Sequence, residues 1–89
     1  MQPFPDNIRR VSSADGGIVL DLRRGAMFRV NPLGSRVLDL LDKGASLLQV
    51  TEQISLEFGV ALDVVRADVS DFLDCLERYG VLKRHGRDT

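Results

Sequence analysis

The sequence holds one cysteine, one histidine and no tryptophan in 89 residues. The lone Cys75 excludes an internal disulfide and any cysteine-built zinc site. The lone His85 sits in a polar tail with no ligand partner at a metal-binding spacing, so no metal site is expected. No apolar run approaches the length of a membrane span. The first residues, Met-Gln-Pro-Phe-Pro-Asp, lack the basic and apolar regions of a signal peptide. A cytoplasmic chain with no membrane contact is therefore expected. There is no glycine-rich phosphate loop, no G-x-S-x-G elbow and no Cys–His pair near in sequence. Asp68 and Asp71 meet on one helical face, but paired acids on a helix are far more often solvated than an acid–base dyad. Cys75 reads as a half-buried small apolar residue rather than a nucleophile. These absences leave a non-catalytic chain without a cofactor.

What remains suits one small domain, residues 1–89, with loose ends at 1–7 and 84–89. Hydrophobic residues make up 44% and charged residues 28%, which fits a packed core rather than disorder. The net charge is −1, but it is unevenly spread. Residues 1–36 carry six arginines against three aspartates, a balance of +3. Residues 37–89 carry six basic and ten acidic side chains, a balance of −4.

Along the chain, Ile8–Ser12 is a weak first strand. Asp15-Gly16-Gly17 is a turn signal. Ile18–Leu22 follows, with Ile18, Leu20 and Leu22 on one face at a period of two. Arg23-Arg24-Gly25 turns the chain again, and Ala26–Val30 returns as the third strand. Two short turns between three strands predict an antiparallel meander. Asn31-Pro32 then reads as a helix start, an N-cap followed by a proline whose missing N–H costs nothing there.

Three helices are predicted. The first covers Pro32–Asp42, with Leu33, Val37, Leu38 and Leu41 on one face and Gly44 as its stop. The second opens on the capping box Ser46-Leu47-Leu48-Gln49, buries Leu47, Val50, Ile54 and Phe58, and stops at Gly59. The third starts with Asp63 as N-cap and runs to Tyr79. Val81-Leu82 then forms a closing strand or packed coil. The fold class is α+β, a winged helix-turn-helix-like arrangement of a three-stranded antiparallel sheet followed by three helices.

The third helix has two stripes. At 100° per residue, Val65, Val69, Phe72, Leu73 and Leu76 share an arc of about 100°, an ordinary core face. Beside it lie Val64, Asp68, Asp71, Cys75 and Tyr79 in a second arc of about 80°. This second stripe is either a core border fading into solvent or one wall of a binding groove.

A winged helix suggests nucleic acid, but a recognition helix needs cations to neutralise phosphates. The third helix carries Asp63, Asp68, Asp71, Asp74 and Glu77 against Arg66 and Arg78. Its surface would repel a phosphate backbone, so no nucleic-acid partner is expected. A winged-helix DNA-binding protein remains the rival class, through the arginines of the strands.

From Gly17 to Leu82 the chain resembles the PqqD-like family. The resemblance rests on Gly17-Ile-Val-Leu-Asp-Leu22, Gly25, Phe28-Arg-Val-Asn31 with Gly34, and Val37-Leu-Asp-Leu-Leu41. It continues through Gly44, Ser46, Phe58-Gly-Val60, Asp68-Val69, Phe72-Leu73, Leu76 and Tyr79-Gly-Val-Leu82. What the resemblance implies is a peptide-binding module of pathways that make ribosomally synthesised, post-translationally modified peptides. In that family the leader of a precursor peptide adds as a strand to the third strand, in a cleft against the third helix. Carried onto this sequence, the binding residues are Ala26, Met27, Phe28, Arg29 and Val30, faced by Val64, Asp68, Asp71 and Cys75. The implied partners are a leader peptide and a processing enzyme. That enzyme is a leader peptidase in split lasso-peptide systems, or a radical SAM enzyme in synthesis of the quinone cofactor PQQ, where the chain would be a peptide chaperone. The absence of Trp, Leu-Asp-Leu before the turn and Phe-Gly-Val after the second helix look closer to the lasso setting. Physics alone reaches the same edge: an unpaired strand invites an incoming peptide, or a second copy as a strand-mediated homodimer.

Overall fold

A two-residue turn, Ala14–Asp15, and a four-residue turn, residues 22–25, fold the first third of the chain into a meander. The computed structural model of the protein describes residues 4–82. It places β1 (Ile8–Ser13), β2 (Gly16–Asp21) and β3 (Ala26–Val30) in one antiparallel sheet of order β1-β2-β3. Then come α1 (Pro32–Asp42), α2 (Leu47–Phe58) and α3 (Leu62–Arg78). The α+β class and the order of elements are as the sequence predicts. The first hairpin is tighter than predicted: Gly16 and Gly17 belong to β2, paired with Ser13 and Ser12, and Leu22 falls in the next turn.

Local chemistry sets the helix starts. The Asn31 side chain accepts the Gly34 N–H at 2.7 Å, with Pro32 at the first helical position. The capping box of α2 is formed: Ser46 Oγ accepts from the Gln49 N–H at 3.1 Å, and Gln49 Oε1 from the Ser46 N–H at 2.8 Å. Asp63 is not the cap of α3. The helix starts at Leu62 after Ala61, which offers no side-chain cap, and Asp63 lies inside the first turn with its carboxylate on the Val64 N–H. A negative charge there still favours the positive end of the helix dipole.

The core gathers Val19 from the sheet, Val37 and Leu38 from α1, Val50 and Ile54 from α2, and Val65, Val69, Leu73 and Leu76 from α3. Val81 and Leu82 close it as buried coil, not as a strand. On α2, Leu47 and Phe58 stay exposed in the terminal turns. Thr51 is buried instead, because its hydroxyl donates to the Leu47 carbonyl at 2.8 Å and so needs no water.

One orientation differs from simple expectation. The apolar row Ile18, Leu20 and Leu22 faces away from the helices, and Val19 and Asp21 face inward. The cause is α1, which lies over the other sheet face. Arg10 Nη1 donates to Asp39 at 2.9 Å, Ser12 Oγ to the same carboxylate at 3.1 Å, and Ser35 Oγ to Ser12 Oγ at 3.2 Å. Nor are residues 4–7 loose: Phe4 packs at the core margin under Arg10, and Asn7 bonds Asp21. The expectations for residues 1–3, for the tail 84–89 and for His85 lie outside the described residues.

A bidentate pair ties α1 to α2. Arg36 Nε and Nη2 reach Glu57 at 2.9 and 2.8 Å, and Gln53 Nε2 adds a bond of 2.7 Å. The Arg36 and Gln53 hydrogen bonds hold the Glu57 carboxyl down to about 2. A carboxylate with a lower pKa folded than unfolded supports the fold above the ordinary glutamate range. That support fades as the pH falls towards 2. Glu57→Gln should therefore lower the thermal midpoint at pH 7, and the gap to wild type should close between about pH 5 and pH 2, as followed by circular dichroism.

Candidate functional site

In an antiparallel ladder successive residues aim their N–H and C=O to opposite sides. The Leu22 N–H donates to the Asn7 carbonyl at 2.8 Å, so the even positions of β2 face β1. Gly17, Val19 and Asp21 must then face β3, where their partners are Val30, Phe28 and Ala26. Those three residues of β3 spend their backbone groups on β2. Met27 and Arg29 aim theirs outward, along the edge of the sheet.

The two edges are not alike. On β1 the outward Ile8 N–H already donates to the Pro5 carbonyl at 3.1 Å, and the Ile8 carbonyl accepts from Arg9 at 3.0 Å. The segment before β1 and an arginine thus guard the start of that edge, at Ile8. On β3 the Met27 and Arg29 backbone groups carry no such guard among the described residues.

The side chains of β3 also alternate. Ala26, Phe28 and Val30 are half-buried and face the helices. Met27, 59% exposed, and Arg29 point to the opposite sheet face, beside Leu20 and Ile18. Within the predicted binding set, Met27 and Arg29 therefore present backbone to the edge, while Phe28 and Val30 present side chains towards α3.

The end of α3 approaches β3 at Tyr79, the C-cap residue of the helix and the last of the second stripe. The Tyr79 ring lies 5.5 Å from the Phe28 ring, centroid to centroid. Counting back at 100° per residue, Asp68, Cys75 and Val64 fall within about 60° of Tyr79, and Asp71 at about 80°. Val64, Asp68, Asp71 and Tyr79 are exposed and Cys75 is half-buried, so the stripe is open rather than covered. Asp74, outside the stripe, is half-buried and engaged.

Two residues join the site that the sequence set omits. Phe72, predicted as core, is only half-buried, and its ring edge reaches over Gly34 beside Val30. A Cβ at Gly34 would stand 3.0 Å from Val30 and 3.1 Å from Phe72, so glycine lets strand, helix start and ring converge as one apolar floor. Tyr79 is the other, legible from its place in the stripe. Hollows of about 440 and 580 Å³ lie around Phe4 and Arg10 and around Arg23 and Leu82. An edge that receives a strand is open by nature, so enclosure is a poor guide to it.

Several arginines are occupied. Arg10 pairs with Asp39 and Asp42, Arg24 with Asp21, and Arg36 with Glu57. Half of the six arginines in residues 1–36 are thus bound to acids of the protein itself, which lowers the charge left to confront a phosphate backbone. Among the described residues no group of three or more His, Cys, Asp or Glu side chains is placed to hold a metal ion, and no helix is long and apolar enough to cross a membrane.

The family model for coenzyme PQQ synthesis protein D (PqqD) matches residues 16–82. A solved structure of TbiB1 in complex with the TbiA(beta) leader peptide is similar to this chain at 27% identity and a TM-score of 0.86. It covers 97% of this chain and 99% of that one. A lasso peptide synthetase B1 complexed with the leader peptide has the same fold, at 20% identity and a TM-score of 0.83, covering 91% and 95% of the two chains. No curated protein matches the sequence.

The alternation along β3 separates two proline variants. Met27→Pro removes an outward N–H and an exposed side chain, so the domain should stay folded. Phe28→Pro removes a bond to β2 and a core-facing ring, and should cost about 3 kcal/mol or more. Urea unfolding of both variants checks the assignment; equal losses would contradict it.

Proposed function

The chain belongs to the PqqD family, and from that premise we propose that it binds the leader of a precursor peptide by strand addition to β3. The observation that carries this is the unguarded outward backbone of Met27 and Arg29, flanked by the open stripe of α3. An extended peptide beside β3 pairs with those groups, and its alternate side chains fall towards α3. Phe28, Val30 and Phe72 supply the apolar floor, with Val64 and Cys75 on the helix wall. Asp68 and Asp71 accept hydrogen bonds or pair with a basic leader residue. The leader peptides in the similar solved structures support this reading.

The role is non-catalytic. The bound leader tethers the precursor for a separate processing enzyme; the missing Trp, Leu-Asp-Leu before the turn and Phe-Gly-Val after α2 favour the lasso-type setting with a leader peptidase over the PQQ setting. Without peptide, the same edge is the place where two copies would pair, so leader should shift any dimer towards a 1:1 complex in sedimentation. Duplex DNA should not bind at physiological salt, because the exposed surface of α3 is acidic.

The test is a titration with the fluorescein-labelled leader of a short precursor peptide, its gene to be sought in the neighbourhood of this chain's own. Ordering a flexible leader costs roughly 2–5 kcal/mol, so single contacts should be visible. Met27→Pro should abolish binding. Asp71→Ala or Val64→Asp should weaken it about tenfold or more, roughly 1.4 kcal/mol, with the fold intact. Arg66→Ala, exposed and off the stripe, should bind normally. Full affinity in Met27→Pro, or equal losses in Arg66→Ala and Asp71→Ala, would overturn the assignment.

A further inference from the structure

Asp21 is 1% exposed, which is unusual for a carboxylate at the end of a strand. Burial pushes its pKa up, but its donors outweigh this and leave it below the ordinary aspartate value. Asn7 Nδ2 donates to Oδ1 at 2.7 Å, and the Arg23 and Arg24 N–H groups donate to the same oxygen at 3.1 and 3.3 Å. Arg24 Nη1 donates to Oδ2 at 2.9 Å.

The same Nη1 reaches further. It donates to the Tyr79 carbonyl at 3.1 Å, across 55 positions of sequence, at the last turn of α3. The guanidinium lies against Gly80, whose φ is +75°. A Cβ at that position would stand 2.8 Å from Nη1 and 3.2 Å from Nη2, so a side chain there would push the arginine away. Arg24 Nη1 is therefore shared between a buried carboxylate and the helix C-terminus, where a cation also suits the dipole.

This staple has a place in the site. Residue 24 lies in the turn that launches β3, and Tyr79 is the residue whose ring meets Phe28 of β3. The Arg24 bond fixes the Tyr79 backbone, and the ring contact fixes its side chain. One end of the cleft between β3 and α3 is thereby pinned from both walls. At the other end, near Val30, Gly34 and Phe72, the walls are joined by apolar contact.

We infer that Arg24 is a positioning residue for peptide binding: by stapling the β2–β3 turn to the end of α3, it sets the width of the cleft before the peptide arrives. This rests on the leader-binding reading above. A site held at its bound width loses less freedom on binding, so affinity depends on a residue that need not touch the ligand. Arg23, its exposed neighbour, makes no side-chain bond among the described contacts and carries the same charge. It separates positioning from simple attraction of an acidic leader.

The experiment titrates the same labelled leader into wild type, Arg24→Ala, Arg24→Lys and Arg23→Ala, with each fold checked by circular dichroism. Wild type binding establishes the leader reading; its absence sinks that reading first. Given binding, Arg24→Ala should weaken it about tenfold, chiefly through faster dissociation, and Arg23→Ala by less than about twofold. Arg24→Lys keeps a cation beside Asp21 and so guards against unfolding, but its Nζ ends one bond short of Nη1 and so cannot hold both Asp21 and the Tyr79 carbonyl in the same geometry. It should lie between Arg24→Ala and wild type. Arg24→Ala combined with Tyr79→Ala should lose less than the product of the two single losses, because both act on one end of the helix. Equal losses in Arg23→Ala and Arg24→Ala would overturn the inference, as would wild type affinity in a folded Arg24→Lys or Arg24→Ala.

Discussion

A strand in a sheet has two sides to satisfy, and β3 is satisfied on one. Everything proposed for this protein depends on that asymmetry. The register with β2 commits Ala26, Phe28 and Val30 to the sheet and leaves Met27 and Arg29 aimed outward. The opposite edge has the same geometry but is closed at its start, where Pro5 and Arg9 occupy the outward groups of Ile8. Natural sheets usually guard both edges. Here β3 is free along its outward positions among the described residues and is the edge that the end of α3 approaches, so it is the one that can hold a partner strand between two walls.

The rest of the molecule keeps that edge in place. Ser35 and Asp39 of α1 hold β1 from above through Ser12 and Arg10, and α1 grows directly out of β3 through the Asn31 cap. Arg36 and Glu57 tie α1 to α2, which packs beneath α3. Asp21 and Arg24 close the circuit from the sheet back to the end of α3. The charged pairs are thus distributed between elements. Each joins pieces whose relative position sets the cleft, and few are left as surface ornaments worth little energy.

Much of this was legible in the sequence, for local reasons. β3 and α1 have the predicted limits because Gly25, Asn31 and Pro32 each act on the backbone at their own position. The capping box of α2 and the glycine after it are equally local. The open stripe of α3 also follows from periodicity, since Val64, Asp68, Asp71, Cys75 and Tyr79 stay together on any regular helix. What sequence could not decide was direction. Alternation groups Ile18 with Leu20 and Leu22, yet it is α1, through polar contacts with Arg10 and Ser12, that selects the other face for burial. Nor does alternation announce a buried Asp21; its four donors come from Asn7, Arg23 and Arg24, and only the closed turn assembles them. The Arg24 staple links residues 24 and 79, a pairing that no short spacing announces. Phe72 read as core because it sits on the border between the two stripes, and only its approach to Gly34 and Val30 places it at the cleft.

The central claim is that the outward amides of β3 receive the peptide. Backbone hydrogen exchange, read residue by residue with and without leader, measures this most directly. In the free protein the Phe28 and Val30 amides should already be protected by β2, while those of Met27 and Arg29 exchange fast. Saturating leader should slow Met27 and Arg29 strongly and leave the β1 amides unchanged. Protection gained along β1 instead, or bound leader with Met27 and Arg29 still exchanging freely, would contradict strand addition at β3.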